Sequence, residues 1–129
     1  MRKRLSSASS FEELMSYSRA VIDDDWVHVS GTTGFDYATM TVADDVAEQT
    51  EQCFRNIRAT LEQAGATLGD VVRVHYILPI REDFQKCWPV IRKYLGDVRP
   101  AATMFTAGLA DVRMKIEIEV TARKRAGAD

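Results

Sequence analysis

Hydrophobic and polar residues alternate most strictly near the end of the chain. In Lys115-Ile116-Glu117-Ile118-Glu119-Val120 the period is two, so Ile116, Ile118 and Val120 share one face of a strand and Lys115, Glu117 and Glu119 the other. The β-prone run at 101–106, a turn region around Gly108 and this alternating run predict a final strand pair within residues 99–124. A looser alternation over 17–22, an acidic turn (Asp23, Asp24, Asp25) and a second alternation over 26–30 read as a β-hairpin. Residues 71–78 are rich in β-branched and aromatic types, with Val72, Val74 and Tyr76 opposed to Arg73, His75 and Ile77. Pro79 ends that strand.

Helical spacing replaces alternation twice. Asp45, with Glu48 three residues on, is a good N-cap. Val46, Thr50, Cys53, Phe54, Ile57, Leu61 and Ala64 then recur on one stripe, and Gly65 stands where a C′ residue of positive φ belongs. A second helix is predicted from about 82 to 95. It should bury Phe84, Trp88, Ile91 and Leu95, be kinked or unwound by Pro89, and stop at Gly96. Gly31 and Gly34 open a loop that runs without periodicity to about Asp44. The order is β-β-α-β-α-β-β with no internal repeat, a single domain over 1–129. Residues 1–10 read as a flexible or strand-forming lead-in and 125–129 as a tail.

Two helices can cover only one face of a five- or six-stranded sheet. The other face would carry Tyr17 or its neighbours, His28, His75 and Glu117. That mixture is too polar for a monomer core and too apolar for a wholly solvated surface, so a partner subunit is expected to cover it.

Composition narrows the function. With 129 residues, 46% hydrophobic, 28% charged and a net charge of −2, the chain has a core of ordinary size and no general field for nucleic acid or anionic membrane. No run of 18 apolar residues occurs, so no transmembrane helix is expected. The start, MRKRLSSASS, is basic and Ser-rich but lacks the apolar segment of a secretory signal. Cys53 and Cys87 fall inside the predicted helices without a CxxC, which points away from a metal or redox centre and towards a reduced, cytoplasmic protein.

Among candidate chemical groups, Glu117 and Glu119 come first. Strand carboxylates usually face water; at a dry interface, desolvation would raise the pKa of one and let it relay protons. His28 and His75 have no third ligand nearby in the sequence and read as packing or hydrogen-bonding residues rather than metal ligands. No GxSxG nucleophile turn is present. The SGTTG segment at 30–34 lacks the Lys-Ser/Thr of a phosphate loop, although its amides could bind a carboxylate. Tyr17 could orient a substrate, with Arg19 two residues on as the nearest local cation.

Several motifs together resemble one family. YSRAV at 17–21, VSGTTG at 29–34, N-I-x-A-x-L-x-x-A-G at 56–65, GDVVRV at 69–74, RPAATM at 99–104 and KIEIEV at 115–120 look like the Rid family. It is also called YjgF or, by an older label, endoribonuclease L-PSP. The resemblance covers about 5–123. It implies an α+β, chorismate-mutase-like fold with a mixed sheet, two helices on one face, and a homotrimer with three clefts between subunits. It also implies hydrolysis of enamines and imines, such as 2-aminoacrylate, to 2-oxo acids and ammonia without metal or organic cofactor. By position, Tyr17 matches the family's site tyrosine, Ser30 and Gly31 its cleft turn, and Glu117 the glutamate that positions water. Met104 would offer backbone groups at the cleft floor.

One departure bears on the substrate. Active deaminases of the family carry P-A-R, whose arginine grips the substrate carboxylate; here the third position is Ala102. Trp88 also occupies a position that is polar in some active members. The resemblance therefore implies a subgroup that binds or transforms another small acid or imine, with Glu117 and Tyr17 as catalytic residues. Ser30, Gly31, Arg19, Met104 and Trp88 would bind the substrate. The alternatives are a working deaminase that uses Arg19 or Arg99 as its cation, RNA binding or cleavage as the older label suggests, and a structural trimer with a vestigial cleft. RNA is disfavoured by the near-neutral charge and the lack of an aromatic RNA-reading motif.

Overall fold

A computed structural model describes residues 1–7 and 9–125; most of the tail expected at 125–129 lies outside the described residues. The lead-in forms strand β1 (Arg2–Leu5), followed by a short helix α1 (Ser10–Met15) capped by the Ser9 side chain. The predicted hairpin is β2 (Ala20–Asp23) and β3 (Trp26–Thr33). Two short strands, β4 (Phe35–Asp36) and β5 (Thr41–Val42), pair within the segment expected to be an aperiodic loop. Helix α2 (Val46–Gln63) begins at Asp45, whose side chain accepts from the Glu48 amide at 3.0 Å, and ends before Gly65 at φ 81°. Strand β6 (Val71–Leu78), helix α3 (Phe84–Leu95), β7 (Ala101–Thr106) and β8 (Glu117–Arg123) complete the chain.

Six strands form one mixed sheet in the order β1-β2-β3-β8-β6-β7. All neighbours are antiparallel except β6 and β7, which run parallel because α3 crosses between them. The expected final strand pair is therefore corrected. The crossover sets β7 beside β6 at the edge, and β8 inserts at the centre between β3 and β6. The central position suits its sequence: Ile118, Val120 and Ala122 are at most 1% exposed beneath the helices. Burying these three side chains stabilises the fold by several kcal/mol at about 25 cal/mol per Å² of apolar surface. Helices α2 and α3 cover that face through Cys53, Phe54, Ile57, Leu61, Cys87 and Leu95.

Two bulges change which residues face where. Val71 pairs with Ala122 but Arg73 with Thr121, so β6 has one extra residue there and Val72 turns outward, 43% exposed. The face assigned to Val72 by strict alternation is corrected accordingly. In β3, Val29 pairs with Val120 and Thr32 with Ile118, so the extra residue falls at Ser30–Gly31. The strand passes through this bulge to Thr33 instead of ending at Gly31.

Helix α3 continues through Pro89, whose missing N–H and its i−4 neighbour Gln85 both lie on the exposed side. A 3-10 turn, Arg81–Asp83, precedes it. Trp88, expected in the core, is 45% exposed, because Cys87 and Leu95 take the inward positions. Gly96 remains in a helical conformation, and the left-handed residue that turns the chain is Arg99, φ 54°.

Candidate functional site

Four of the residues expected to form a site, Tyr17, Ser30, Gly31 and Glu117, meet at one end of the β3–β8 ladder. A cavity of about 290 Å³ is lined by Tyr17, Ser30, Gly31 and Glu117, with Phe11 and Tyr37 among the surrounding groups. Tyr17 does not stand on a strand, as the alternation suggested. It follows the left-handed Ser16 that ends α1, and its amide donates to the Glu12 carbonyl at 3.0 Å. The Ser30 hydroxyl donates to the Ser18 carbonyl at 2.6 Å and the Ser30 amide to Arg19 O at 3.0 Å, which pins the bulge.

Gly31 has a specific role in this geometry. A Cβ there would stand 2.8 Å from Glu117 Cδ and nearer still to Oε2, so the carboxylate lies directly on the glycine backbone. Glu117 is half-buried, and its carboxylate accepts no hydrogen bond from the described residues. Burial pushes its pKa up, the Arg19 guanidinium opposes that, and Glu119 adds to it. A carboxylate raised in this way is a stronger proton acceptor than one in water, while remaining open to the cavity.

Arg19 lies beneath this site, 2% exposed. It donates to Gly31 O at 3.1 Å, Thr32 Oγ1 at 2.9 Å and Tyr17 Oη at 3.1 Å, and its Nε faces Glu12 Oε2 at 3.7 Å. Its guanidinium also sits 5.0 Å from the Tyr37 ring centroid. The cation expected beside Tyr17 is thus a buried tie between α1, the bulge and the tyrosine. It acts on the cavity through its field.

Two residues on α2 hold the site's backbone and escaped the sequence reading. Gln49, fully buried, donates to Ala43 O at 2.7 Å and Arg113 O at 2.9 Å and accepts from the Lys115 amide at 2.9 Å. Asn56 donates to Thr33 O at 3.2 Å and Phe35 O at 2.8 Å. Together they fix both strands on the way into the cavity. The available signal was a polar residue beside the apolar stripe of α2 whose backbone partners are 64 and 66 residues away, a distance no spacing rule spans.

The remaining expected residues lie elsewhere. Trp88 lines a separate groove beside Ala102, and Met104 packs half-buried against the main core. His75 Nδ1 pairs with Glu119 Oε1 at 2.9 Å, while His28 stacks on Trp26 with centroids 6.5 Å apart; β8 separates the two histidines. No group of three metal-ligating side chains occurs among the described residues. Cys53 and Cys87 are buried free thiols whose pKa values are pushed up by burial. No helix among the described residues is long and apolar enough to cross a membrane.

A mixed six-stranded sheet with helices on one face, and a half-buried glutamate seated on a glycine bulge, define an α+β protein of the YjgF/Rid fold. The profile of the endoribonuclease L-PSP family matches residues 7–124, and the chain belongs to that family. A RutC family protein of Pyrococcus abyssi is 36% identical over 109 residues, 84% of this chain and 86% of the relative. Bovine 2-iminobutanoate/2-iminopropanoate deaminase is 30% identical over 123 residues, 95% of this chain and 90% of that enzyme. The crystal structure of a YjgF/YER057c/UK114 family member from Mycobacterium tuberculosis superposes with a TM-score of 0.87 at 36% identity, covering 95% and 99% of the two chains.

Proposed function

We propose that the protein hydrolyses a small imine or enamine in the Glu117 cavity, with a substrate other than 2-aminoacrylate. The observation that carries this reading is the Glu117 carboxylate itself, held on Gly31, raised in pKa and free of hydrogen bonds from the described residues. In the step proposed, Glu117 accepts a proton from water as the water oxygen bonds to the imine carbon. Glu117 passes that proton to the imine nitrogen, which gives the carbinolamine (an enamine first tautomerises to its imine). The hydroxyl proton of the carbinolamine then moves through Glu117 to the nitrogen as the C–N bond breaks, so that ammonia leaves and the C–O bond becomes a carbonyl. Tyr17 orients the substrate and the Ser30–Gly31 turn lines its approach. Neither metal nor organic cofactor enters this scheme.

The site is completed in this proposal by a homotrimer, in which a neighbouring subunit brings Met104 and Trp88 to the cleft. Support comes from the uncovered sheet face, where His28, Glu119 and Phe105 stand exposed, and from β7, an edge strand open along its length. The names of the mammalian relatives support the imine chemistry. Ala102 argues against a substrate that needs a guanidinium there, because a carboxylate brought out of water without a counter-charge is penalised by several kcal/mol.

The test couples an amino acid oxidase to ammonia and 2-oxo acid detection. Wild type should stay near the uncatalysed rate with 2-aminoacrylate, and Ala102→Arg should raise it. Glu117→Ala should lose turnover of any accepted imine while the assembly stays intact in solution. If that variant instead dissociates, Glu117 is structural and the reading fails. A second reading, a working 2-aminoacrylate deaminase with another cation, is favoured by Arg92 and Arg99 beside Ala102. Rapid wild-type turnover that Arg99→Gln abolishes would establish it. RNA cleavage, suggested by the family label, predicts an RNA shift on a low-salt gel; none is expected at a net charge of −2.

A further inference from the structure

The Glu117 cavity is one-sided in charge. Residues 117 and 119 of β8 share a face about 6.6 Å apart, at about 3.3 Å per residue, and both line the cavity. The Glu117 carboxylate is free of hydrogen bonds from the described residues. His75 Nδ1 lies 2.9 Å from one oxygen of Glu119, which leaves the other oxygen without a partner among the described residues. No lysine or arginine lines the cavity. The cations around it are spent within the protein. Arg19 is 2% exposed, gives its N–H groups to Gly31, Thr32 and Tyr17, and has its charge answered by Glu12 at 3.7 Å. Arg113, next to Met114, makes two bonds to Asp111 at 2.8 and 3.1 Å, and Lys115 donates to the Asp44 carbonyl.

The rest of the wall is apolar. Phe11 and Met15 come from α1, and Ala110 and Met114 from the segment before β8. Phe11 is anchored edge-on against the buried Phe35 ring, with centroids 6.0 Å apart at 83°. Several hydroxyls that line the cavity bond within the protein: Ser30 donates to the Ser18 carbonyl at 2.6 Å, and Thr33 and Tyr37 pair with each other at 3.2 Å. The cavity thus meets a ligand with carboxylate acceptors on one side and hydrocarbon on the other.

We propose that this cavity selects a cation with an apolar body, so that the imine it takes is that of a primary amine and not that of an α-amino acid. The substrate class rests on the reading of Glu117 as the base of an imine hydrolase; the charge selection stands on the lining alone. The nitrogen, an N–H donor that carries the charge when protonated, lies towards Glu117 and Glu119, and the alkyl or aryl group lies against Phe11, Met15 and Met114. Charge-assisted bonds to a carboxylate are the strong ones, whereas a ligand carboxylate in the same place would meet two like charges and no free cation. Water adds across the C=N bond and the C–N bond breaks, so an iminium ion and water become an aldehyde and an ammonium ion with no change of oxidation state. The reaction that supplies such a substrate is the oxidation of a primary amine.

The experiment titrates the full-length protein at pH 8 by calorimetry with three ligands that share one phenylethyl body: phenethylamine, 2-phenylethanol and 3-phenylpropanoate. The amine should bind saturably, the alcohol about tenfold or more weakly, and the carboxylate more weakly still. Glu117→Gln and Glu119→Gln should each weaken the amine by roughly fivefold or more without lowering the thermal midpoint. Phe11→Ala should weaken phenethylamine by about tenfold while leaving ethylamine, which has no ring, little changed. Ala110→Arg, at an exposed position on the rim, should shift the preference towards the carboxylate. Ammonia release is then followed with the imine of phenethylamine, made by a flavin amine oxidase, and with the imine of phenylalanine, made by an amino acid oxidase; the first should be accelerated more.

Tighter binding of 3-phenylpropanoate than of phenethylamine, or faster turnover of the phenylalanine imine, would overturn the proposal while leaving imine hydrolysis standing, as an arginine brought in by a neighbouring subunit would produce. Amine binding indifferent to both glutamate substitutions would also overturn it, since the ligand would then lie elsewhere. Binding in the predicted order with neither imine accelerated would bear out the charge selection and refute hydrolysis at Glu117, so the two readings fail separately.

Discussion

Substituting Gly31 tests the geometry of the site without any assumption about substrate. Two terms oppose one another in Gly31→Ala. The glycine sits in the interior of β3, where replacing it with alanine is worth roughly 0.5–1 kcal/mol through lost freedom of the unfolded chain. Against that, the new Cβ would stand 2.8 Å from Glu117 Cδ and 3.3 Å from Cγ. Comfortable carbon contacts are about 3.5–4.0 Å, so the carboxylate must move by about 1 Å. A side chain forced off its rotamer costs about 0.5–1.5 kcal/mol. The single substitution should therefore change stability by less than about 1 kcal/mol, while a displacement of that size is enough to lower turnover about a hundredfold.

In a Glu117→Ala background the clash is absent, and Gly31→Ala should stabilise by roughly 0.5–1 kcal/mol. Urea unfolding of the four proteins of the cycle yields the coupling, expected at about 0.5–1.5 kcal/mol. A coupling below about 0.3 kcal/mol, within the additivity expected of independent sites, would show that residues 31 and 117 do not touch.

Three further expectations follow from the same geometry. Burial raises the Glu117 pKa, so the folded state favours its protonated form, and the stability linked to it is present at low pH and lost as pH rises through the folded value. Glu117→Gln should accordingly melt above wild type at pH 7–8, with the gap closing on acidification into the carboxylate range; a gap that widens instead would reverse the assigned sign. Gln49→Leu removes three hydrogen bonds to backbone groups, about 1 kcal/mol each, and should lower the urea midpoint by about 1.5 M for a slope near 2 kcal/mol/M. A shift under about 0.5 M would mean that water replaces the amide at no loss. Arg19→Gln breaks a buried ion contact and two or three hydrogen bonds, so a loss of roughly 3–5 kcal/mol is expected by calorimetric melting, and a near-neutral result would contradict its burial.

Much of the fold was legible in local pattern, because local pattern is what sets those elements. The Asp45 cap, the apolar stripe of α2 and Gly65 at φ 81° are each determined within a turn of helix. The inward face of β8 follows from strict alternation, and Ile116, Ile118 and Val120 are buried as that pattern requires. The motif resemblance added the expectation that Tyr17, Ser30, Gly31 and Glu117 converge, and they line one cavity.

Other features were fixed only when the strands assembled. Strand order depends on the crossover through α3 and on which strand fills the centre, so β7 and β8 part company although they are consecutive. Bulges need a partner strand to exist at all: the extra residue at Ser30–Gly31 is defined only against β8, and it is what lays Gly31 under the Glu117 carboxylate. Arg19 shows the same dependence. In the sequence it is a charge near a tyrosine, whereas in the fold it is a buried tie whose field tempers the carboxylate above it. Local pattern places a glutamate on a strand; the packing around it decided how far it is withdrawn from water, and that burial is what raises its pKa.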